Sequence, residues 1–198
     1  MLSSITPLGE RGRNNRFTVV AGAFVAGSVL GGGAVGLTAG GIGQLVVPDR
    51  PAAAASVVAA LALAGAAFDG HVAGLRLPTI KRQVDERWLH KYRGWVYGFG
   101  FGVQLGTGLA TIVSSAAVYV MVAAAVLTRS VVAGTVIGLT FGIVRGASIL
   151  LARRVGTPDE LRRFHRRLAA NATRSERVGA ATQGLVAMAG LLVIAVGR

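Results

Sequence analysis

The feature that most limits how this chain can fold is a series of long apolar runs interrupted by short, charged connections. A membrane-spanning helix needs about 20 consecutive apolar residues, whereas a half-buried strand needs alternating apolar and polar residues. The apolar runs of this chain are continuous and show no alternation of apolar and polar residues. They predict an all-α fold, a polytopic membrane helix bundle of about five transmembrane helices. The runs are residues 17–47, 52–75, 94–127, 131–152 and 178–196.

Composition narrows the class of partners. Of 198 residues, 53% are hydrophobic and 15% charged, which leaves little chain for a soluble domain. The net charge of +13 would suggest nucleic acid in a soluble protein, but the Lys and Arg lie almost entirely between the apolar runs. We therefore expect anionic lipid headgroups as partners and no nucleic acid. Because cysteine is absent and the three histidines are scattered, we expect no cofactor and no metal site.

The charged connections also predict the orientation of the chain. Residues 1–16, 76–93 and 153–177 are rich in Arg and Lys, whereas the turns at Arg50 and Arg129 carry one basic residue each. Basic connections stay in the cytoplasm, so the pattern predicts five crossings with a cytoplasmic N-terminus. The expected location is a bacterial cytoplasmic (inner) membrane. Residues 1–16 would form a cytoplasmic tail, and residues 17–198 a single transmembrane domain.

Two basic connections predict amphipathic helices that lie in the membrane interface. In the first, apolar residues from Leu77 to Tyr92 recur at helical spacing among charged ones. The second opens with Thr157, Pro158 and Glu160, which match a capping box with proline at the first helical position.

The order of the elements predicts a two-fold internal repeat. Residues 17–93 would form the first repeat, residues 94–177 the second, and residues 178–198 the last helix. Each repeat has a long glycine-rich span, a short turn, a second span and a basic helix. The alternative is that any two helical hairpins share part of this order. In a duplicated protein whose halves both start in the cytoplasm, the functional site is expected between the repeats.

Residues 94–119 carry two stripes at helical spacing. The polar stripe consists of candidate residues for a substrate path, namely Gln104, Thr107, Thr111, Ser115 and Tyr119. Its alternative explanation is that Ser and Thr bond carbonyls of their own helix. Glycine at every fourth position predicts close helix packing, both here and in the fourth span. The candidate packing residues are Gly98, Gly102, Gly106, Gly134, Gly138 and Gly142.

Two ionisable residues, Asp69 and Arg145, lie at similar distances from the starts of the second and fourth spans. A charge inside a bilayer is costly, and such residues commonly pair or line a wet pathway. We expect an intramembrane ion pair that joins the two halves. The alternative is that Arg145 snorkels to headgroups while Asp69 lies at an interface.

The sequences LPTIKRQVDERWLHKYR and GWVYGFGFGVQLGTGLATIVSSAAVY, residues 77–119, resemble segments of small actinobacterial membrane proteins. They are also distantly similar to the transmembrane domain of the DsbD-type cytochrome c biogenesis family, within the LysE-type transporter group. Members of that family would carry a Cys and Pro motif where this chain has LGGGAVGL and QLGTGLAT, so the electron relay is not carried over. The resemblance implies a small, duplicated, transporter-like scaffold, with Gln104 and Thr107 nearest the missing motif.

The sequence thus predicts a non-enzymatic membrane protein that transports a small polar or anionic solute. The alternative is a non-catalytic accessory or scaffold subunit of a larger complex, a homo- or hetero-oligomer in which glycine faces hold a partner's helices. A polar cleft that reaches Gln104 would favour the transporter. Glycine ladders that face lipid would favour the scaffold.

Overall fold

The structure is a computed structural model that describes residues 5–70, 88–108 and 116–196. Within these ranges the chain is helical and contains no β-strand, which confirms the all-α class. The helices are α1 (Pro7–Gly12), α2 (Phe17–Val46), α3 (Pro51–Asp69), α4 (Trp88–Lys91), α5 (Gly94–Thr107), α6 (Ala117–Leu127), α7 (Val131–Ala147), α8 (Pro158–Ala170) and α9 (Ala172–Val196). A 3-10 segment, Ser148–Ala152, continues α7.

Three described helices are long and apolar enough to cross a membrane, namely Phe17–Val46, Pro51–Asp69 and Val131–Ala152. They overlap three of the predicted apolar runs, and Pro51 alone lies outside these runs. Large apolar side chains on them are widely exposed, including Leu45 at 87%, Val132 at 74% and Val144 at 68%. Exposure of that extent is unfavourable in water and favourable in lipid, so these helices have the character of a membrane protein.

The third apolar run is not one continuous helix, contrary to the sequence-based prediction. Helix α5 ends at Thr107 because Gly108 has a φ of 69°, a left-handed conformation that terminates helices. Helix α6 begins at Ala117, and residues 109–115 lie outside the described ranges. With 14 and 11 residues, α5 and α6 are each shorter than the ~20 residues that one crossing needs.

The two predicted basic helices have different outcomes. The first lies mostly outside the described residues, which contain only its end as α4. The second forms a helix, α8, with the predicted capping box, and its location in the membrane interface stays a prediction. The Glu160 N–H donates to Thr157 Oγ1 at 3.3 Å, and the Thr157 N–H donates to Glu160 Oε2 at 3.0 Å.

The chain divides into two compact units, each assembled from distant segments. Unit 1 comprises Met1–Ala34, Lys81–Ile112 and Leu139–Asn171, and unit 2 comprises Val35–Ile80, Val113–Gly138 and Ala172–Arg198. Both units draw segments from both predicted repeats. Their boundaries therefore differ from the repeat boundaries, and the internal duplication stays a prediction.

Unit 1 includes the N-terminal segment in its core. Ile5 is 1% exposed and packs in one apolar cluster with residues of α2 and α5 such as Phe24 and Phe101. The Leu8 N–H donates to the Val155 carbonyl at 3.0 Å. From residue 5 onwards, the predicted tail is thus a folded part of unit 1, because an apolar residue and a capped short helix give it a surface to bury.

In unit 2, α3 packs against α9 and α6. Small residues allow close contact, with Ala62, Val120 and Ala187 buried together. At the short turns of this unit, Arg129 Nη1 lies 2.5 Å from Asp49 Oδ1. The α2–α3 turn and the α6–α7 turn are therefore adjacent.

Candidate functional site

In unit 2, a buried carboxylate ends the apolar helix α3. Asp69 is 6% exposed, and its Oδ1 accepts the Ala116 N–H at 2.8 Å. Because Ala116 directly precedes α6, the carboxylate meets the positive end of that helix. Its Oδ2 accepts a hydrogen bond from Gln183 Nε2 of α9 at 2.5 Å. Asp69 therefore connects three helices of the unit.

Gln183, which the sequence reasoning missed, is 2% exposed. Among the described residues, its Oε1 is buried without a hydrogen-bond partner. This oxygen lies against Gly65, where an added Cβ would overlap it. Glycine at position 65 therefore makes room for the amide. The available signal was an amide within an apolar run, since such a group needs a partner in a membrane.

In unit 1, the other predicted intramembrane charge has a different environment. Arg145 lies in the last turn of α7, half-buried, with its guanidinium carbon 5.2 Å from the centre of the Phe141 ring. Its Nη1 is buried without a hydrogen-bond partner among the described residues. The pair of Asp69 with Arg145 would connect residues of different units, and it stays a prediction.

Of the predicted polar stripe, the structure describes Gln104 and Thr107 in α5 and Tyr119 in α6. Gln104 is half-buried, and Thr107 Oγ1 donates to the Gln104 carbonyl at 3.0 Å. This bond within one helix is the alternative considered from the sequence, and it engages the Thr107 hydroxyl locally. Thr111 and Ser115 lie outside the described residues, and Tyr119 in α6 is 46% exposed.

Glycines of unit 1 lie where helix backbones come closest. A Cβ built on Gly98 would be 2.7 Å from the Val20 carbonyl oxygen of α2. Contacts of this kind need the absence of a side chain, because real Cβ atoms do not approach a backbone oxygen so closely. Similar backbone neighbours face Gly102 (Phe24), Gly106 (Ser28) and Gly142 (Ser28).

Unit 2 has an equivalent glycine contact between α2 and α7. A Cβ on Gly134 would be 3.0 Å from the Cα of Gly40, and one on Gly36 would be 2.9 Å from the Cα of Gly138. The candidate packing glycines thus face other helices of the same chain within each unit.

A hydroxyl that was not singled out from the sequence lies in the glycine contact of unit 1. Ser28 of α2 is fully buried, and its Oγ donates to the Gly142 carbonyl of α7 at 2.9 Å. The bond joins two helices rather than closing a local turn. It gives the contact a fixed register, since a buried hydroxyl without an acceptor would be costly.

A polar cluster near the N-terminus was also missed. Glu10 is fully buried, and its Oε2 accepts a short hydrogen bond from the Tyr97 hydroxyl. Its Oε1 lies 2.5 Å from Arg13 Nη2, while Asn15 Nδ2 donates to Tyr97 Oη at 3.2 Å. Burial lowers the pKa of Arg13, but hydrogen bonds to Glu10 and Tyr97 more than offset this, so that pKa is raised. The cluster fixes α1 to the start of α5.

The described residues contain no group of three His, Asp or Glu side chains that could hold a metal ion. His165 is exposed on α8, His71 lies outside the described residues, and the side chain of His90 is also outside the description. The polar groups with the most specific geometry are therefore Asp69 with Gln183, Glu10 with Tyr97, and Arg145.

No protein-family model, curated protein or solved structure matches the chain.

Proposed function

We propose that this chain is a multi-pass protein of a bacterial cytoplasmic membrane that transports a small polar or anionic solute. The observation that carries the proposal is a pair of ionisable residues on helices of membrane length and composition, Asp69 at the end of α3 and Arg145 within the α7 span. Ionisable groups at such positions are expensive, and in membrane proteins they mark substrate and ion pathways.

The path runs along the polar stripe, and Asp69 and Arg145 gate it. Support for this comes from Gln104, a half-buried amide in α5. The glycine contacts within each unit support movement, because helices that touch through backbone atoms can shift with few side chains to rearrange. The residues that line the path are Gln104, Thr107, Thr111, Ser115 and Tyr119.

The transporter crosses the membrane five times, with the basic connections in the cytoplasm. The contact of Asp49 with Arg129 supports this topology, because it groups the two turns that are poor in basic residues. Unit 1 groups basic connections in the same way, through the bond from Leu8 to Val155. The third crossing is made by α5 and α6, the fifth by α9, and anionic headgroups bind the basic connections.

A second candidate function is a non-catalytic accessory or scaffold subunit. The observation that favours it is the exposed apolar surface of α9, where Leu185 is 63% and Leu192 is 60% exposed. The glycine faces are less suited to a partner, because they already face helices of this chain within each unit. A partner's helix would therefore bind along α9.

Solute flux separates the two functions. The purified protein is placed in liposomes, and the release of a panel of small anionic and neutral polar solutes is compared with protein-free liposomes. We expect release of at least one solute above the background, and slower release with Gln104→Leu. Thr182→Val is the control, because it removes an exposed hydroxyl of α9 that donates to the Val178 carbonyl of the same helix.

Two results would oppose the transporter. Background release for every solute would favour the accessory subunit. Equal release by the unmodified protein and Gln104→Leu would remove Gln104 from the path.

A further inference from the structure

Arg145 carries a hydrogen-bonding requirement that its surroundings do not meet. Its guanidinium offers several N–H donors, and the buried Nη1 has no acceptor among the described residues. A buried charged donor without an acceptor is costly, and more so beside hydrocarbon than in water. We therefore expect Arg145 to bind an acceptor that is not among the described residues.

The described surroundings of Arg145 favour its positive charge but supply no acceptor for its Nη1. Arg145 occupies the last turn of α7, where the helix dipole favours a cation, and the Phe141 ring adds a cation–π contact at 5.2 Å. Neither feature supplies a lone pair in the plane of the guanidinium. The neighbouring Ser148 hydroxyl donates to the Arg145 carbonyl at 2.6 Å and does not accept from the buried Nη1.

Acidic side chains that the structure describes have partners of their own. Asp69 accepts hydrogen bonds from Ala116 and Gln183. The remaining pairs join Glu10 to Arg13 and Tyr97, Asp49 to Arg129, Asp159 to Arg162, and Glu160 to Gly156 and Thr157. The pair with Asp69 expected from the sequence competes for the same guanidinium, and a paired Arg145 would not respond to an added anion.

We propose that Arg145 binds an oxyanion, a phosphate or carboxylate group, through the N–H donors of its guanidinium. The planar fork of arginine matches two oxygens of such a group, and both charges then become paired. The oxyanion comes either from the headgroup of an anionic lipid or from a free solute. The solute case rests on the proposed transport function, whereas the lipid case requires only that α7 lies in a membrane.

The unfolding temperature of the whole protein tests binding without requiring transport. It is measured in phosphatidylcholine nanodiscs with inorganic phosphate, using sodium chloride of equal ionic strength as the reference. A second series replaces part of the phosphatidylcholine by phosphatidylglycerol. We expect one of these probes to raise the unfolding temperature of the unmodified protein, and Arg145→Gln to lose most of that rise.

Arg50→Gln is the matched control, because it removes one positive charge from an exposed site outside the basic connections. It should keep the rise, which separates a specific oxyanion from general attraction to a basic protein. If Arg145→Gln does not fold, Arg145→Lys keeps the charge and loses the fork. It should raise the phosphate or phosphatidylglycerol concentration for half-maximal stabilisation by roughly tenfold.

A response to phosphate identifies a free oxyanion as the ligand, and a response to phosphatidylglycerol alone identifies a lipid headgroup. No response to either probe overturns the proposal, as does an equal loss in Arg145→Gln and Arg50→Gln. Oxyanion binding without solute flux would refute the transport function and leave the site intact.

Discussion

The glycines of this chain differ in what a methyl group at their position would meet. A Cβ on Gly98 would lie 2.7 Å from the Val20 carbonyl oxygen, whereas one on Gly22 would meet nothing within 4 Å. Both residues are inside helices, so alanine would improve the local helix propensity at either site. Only the contact with the neighbouring backbone distinguishes them.

This difference predicts opposite effects of two equivalent substitutions. Gly98→Ala should lower the free energy of unfolding by about 1–3 kcal/mol, because α5 must move away from α2. Gly22→Ala should be neutral or stabilise by up to ~1 kcal/mol. Equilibrium unfolding of both variants in the same detergent gives the comparison. Equal stability of the two variants would show that α5 and α2 are not packed through Gly98.

The buried hydroxyl of Tyr97 makes a second prediction at this scale. Tyr97→Phe would leave a Glu10 oxygen and the Asn15 amide without their shared partner. The loss should cost about 1–3 kcal/mol. It should also speed maleimide labelling of Ile5→Cys, the chain's single thiol in that variant. Tyr92→Phe, at an exposed site, is the control, and unchanged labelling in Tyr97→Phe would contradict the anchoring role.

Two helices begin with the same pair of residues. Thr6 and Pro7 open α1, and Thr157 and Pro158 open α8. In both, the threonine hydroxyl accepts a backbone N–H and the proline occupies the first turn, where a missing N–H costs nothing. The difference is the glutamate. Glu160, three residues after its threonine, completes the cap of its own helix, whereas Glu10, four residues after its threonine, accepts a hydrogen bond from Tyr97.

The cap of α8 has a predictable pH dependence. The Gly156 N–H donates to the Glu160 carboxylate at 2.8 Å and lowers the pKa of Glu160, with a further contribution from the Thr157 N–H. Since the folded pKa is below the unfolded one, the stabilisation is complete above the ordinary value of about 4.3 and is lost as pH falls through the folded pKa.

The Gly156 amide shift in an NMR titration reports this step directly. Its midpoint should lie below the ordinary glutamate value, and Glu160→Gln should abolish the transition. A midpoint at or above the ordinary value would show that the carboxylate does not accept these bonds in solution.

For the whole molecule, the expected topology is testable because the chain has no cysteine of its own. In intact cells, a membrane-impermeant maleimide should label Arg50→Cys, in the turn before α3. Arg11→Cys and Arg166→Cys should be labelled only after permeabilisation. All three positions are exposed in the structure, so burial does not confound the result. Labelling of Arg166→Cys in intact cells would rule out the five-crossing arrangement.

Sequence reasoning identified features that repeat locally and missed those made by distant residues. The three long helices follow from apolar length, and the α8 cap follows from Thr157 and Glu160, which are three positions apart. The partner of Glu10 is 87 residues away, and that of Asp69 is 114 residues away in Gln183. No periodicity encodes such pairs, because tertiary packing alone brings them together. The helix end at Thr107 was missed because glycine recurs throughout this run, and only Gly108 adopts a left-handed conformation there.

The anchoring of the N-terminal segment has a consequence for biosynthesis. Residues 5–16 are synthesised well before Tyr97 and Val155, to which they bond. Until then, the Glu10 carboxylate lacks its hydrogen bond from Tyr97 and is not yet buried. Residues 5–16 must therefore remain without these contacts while α2 inserts, so that a segment made before α2 is among the last to reach its native contacts.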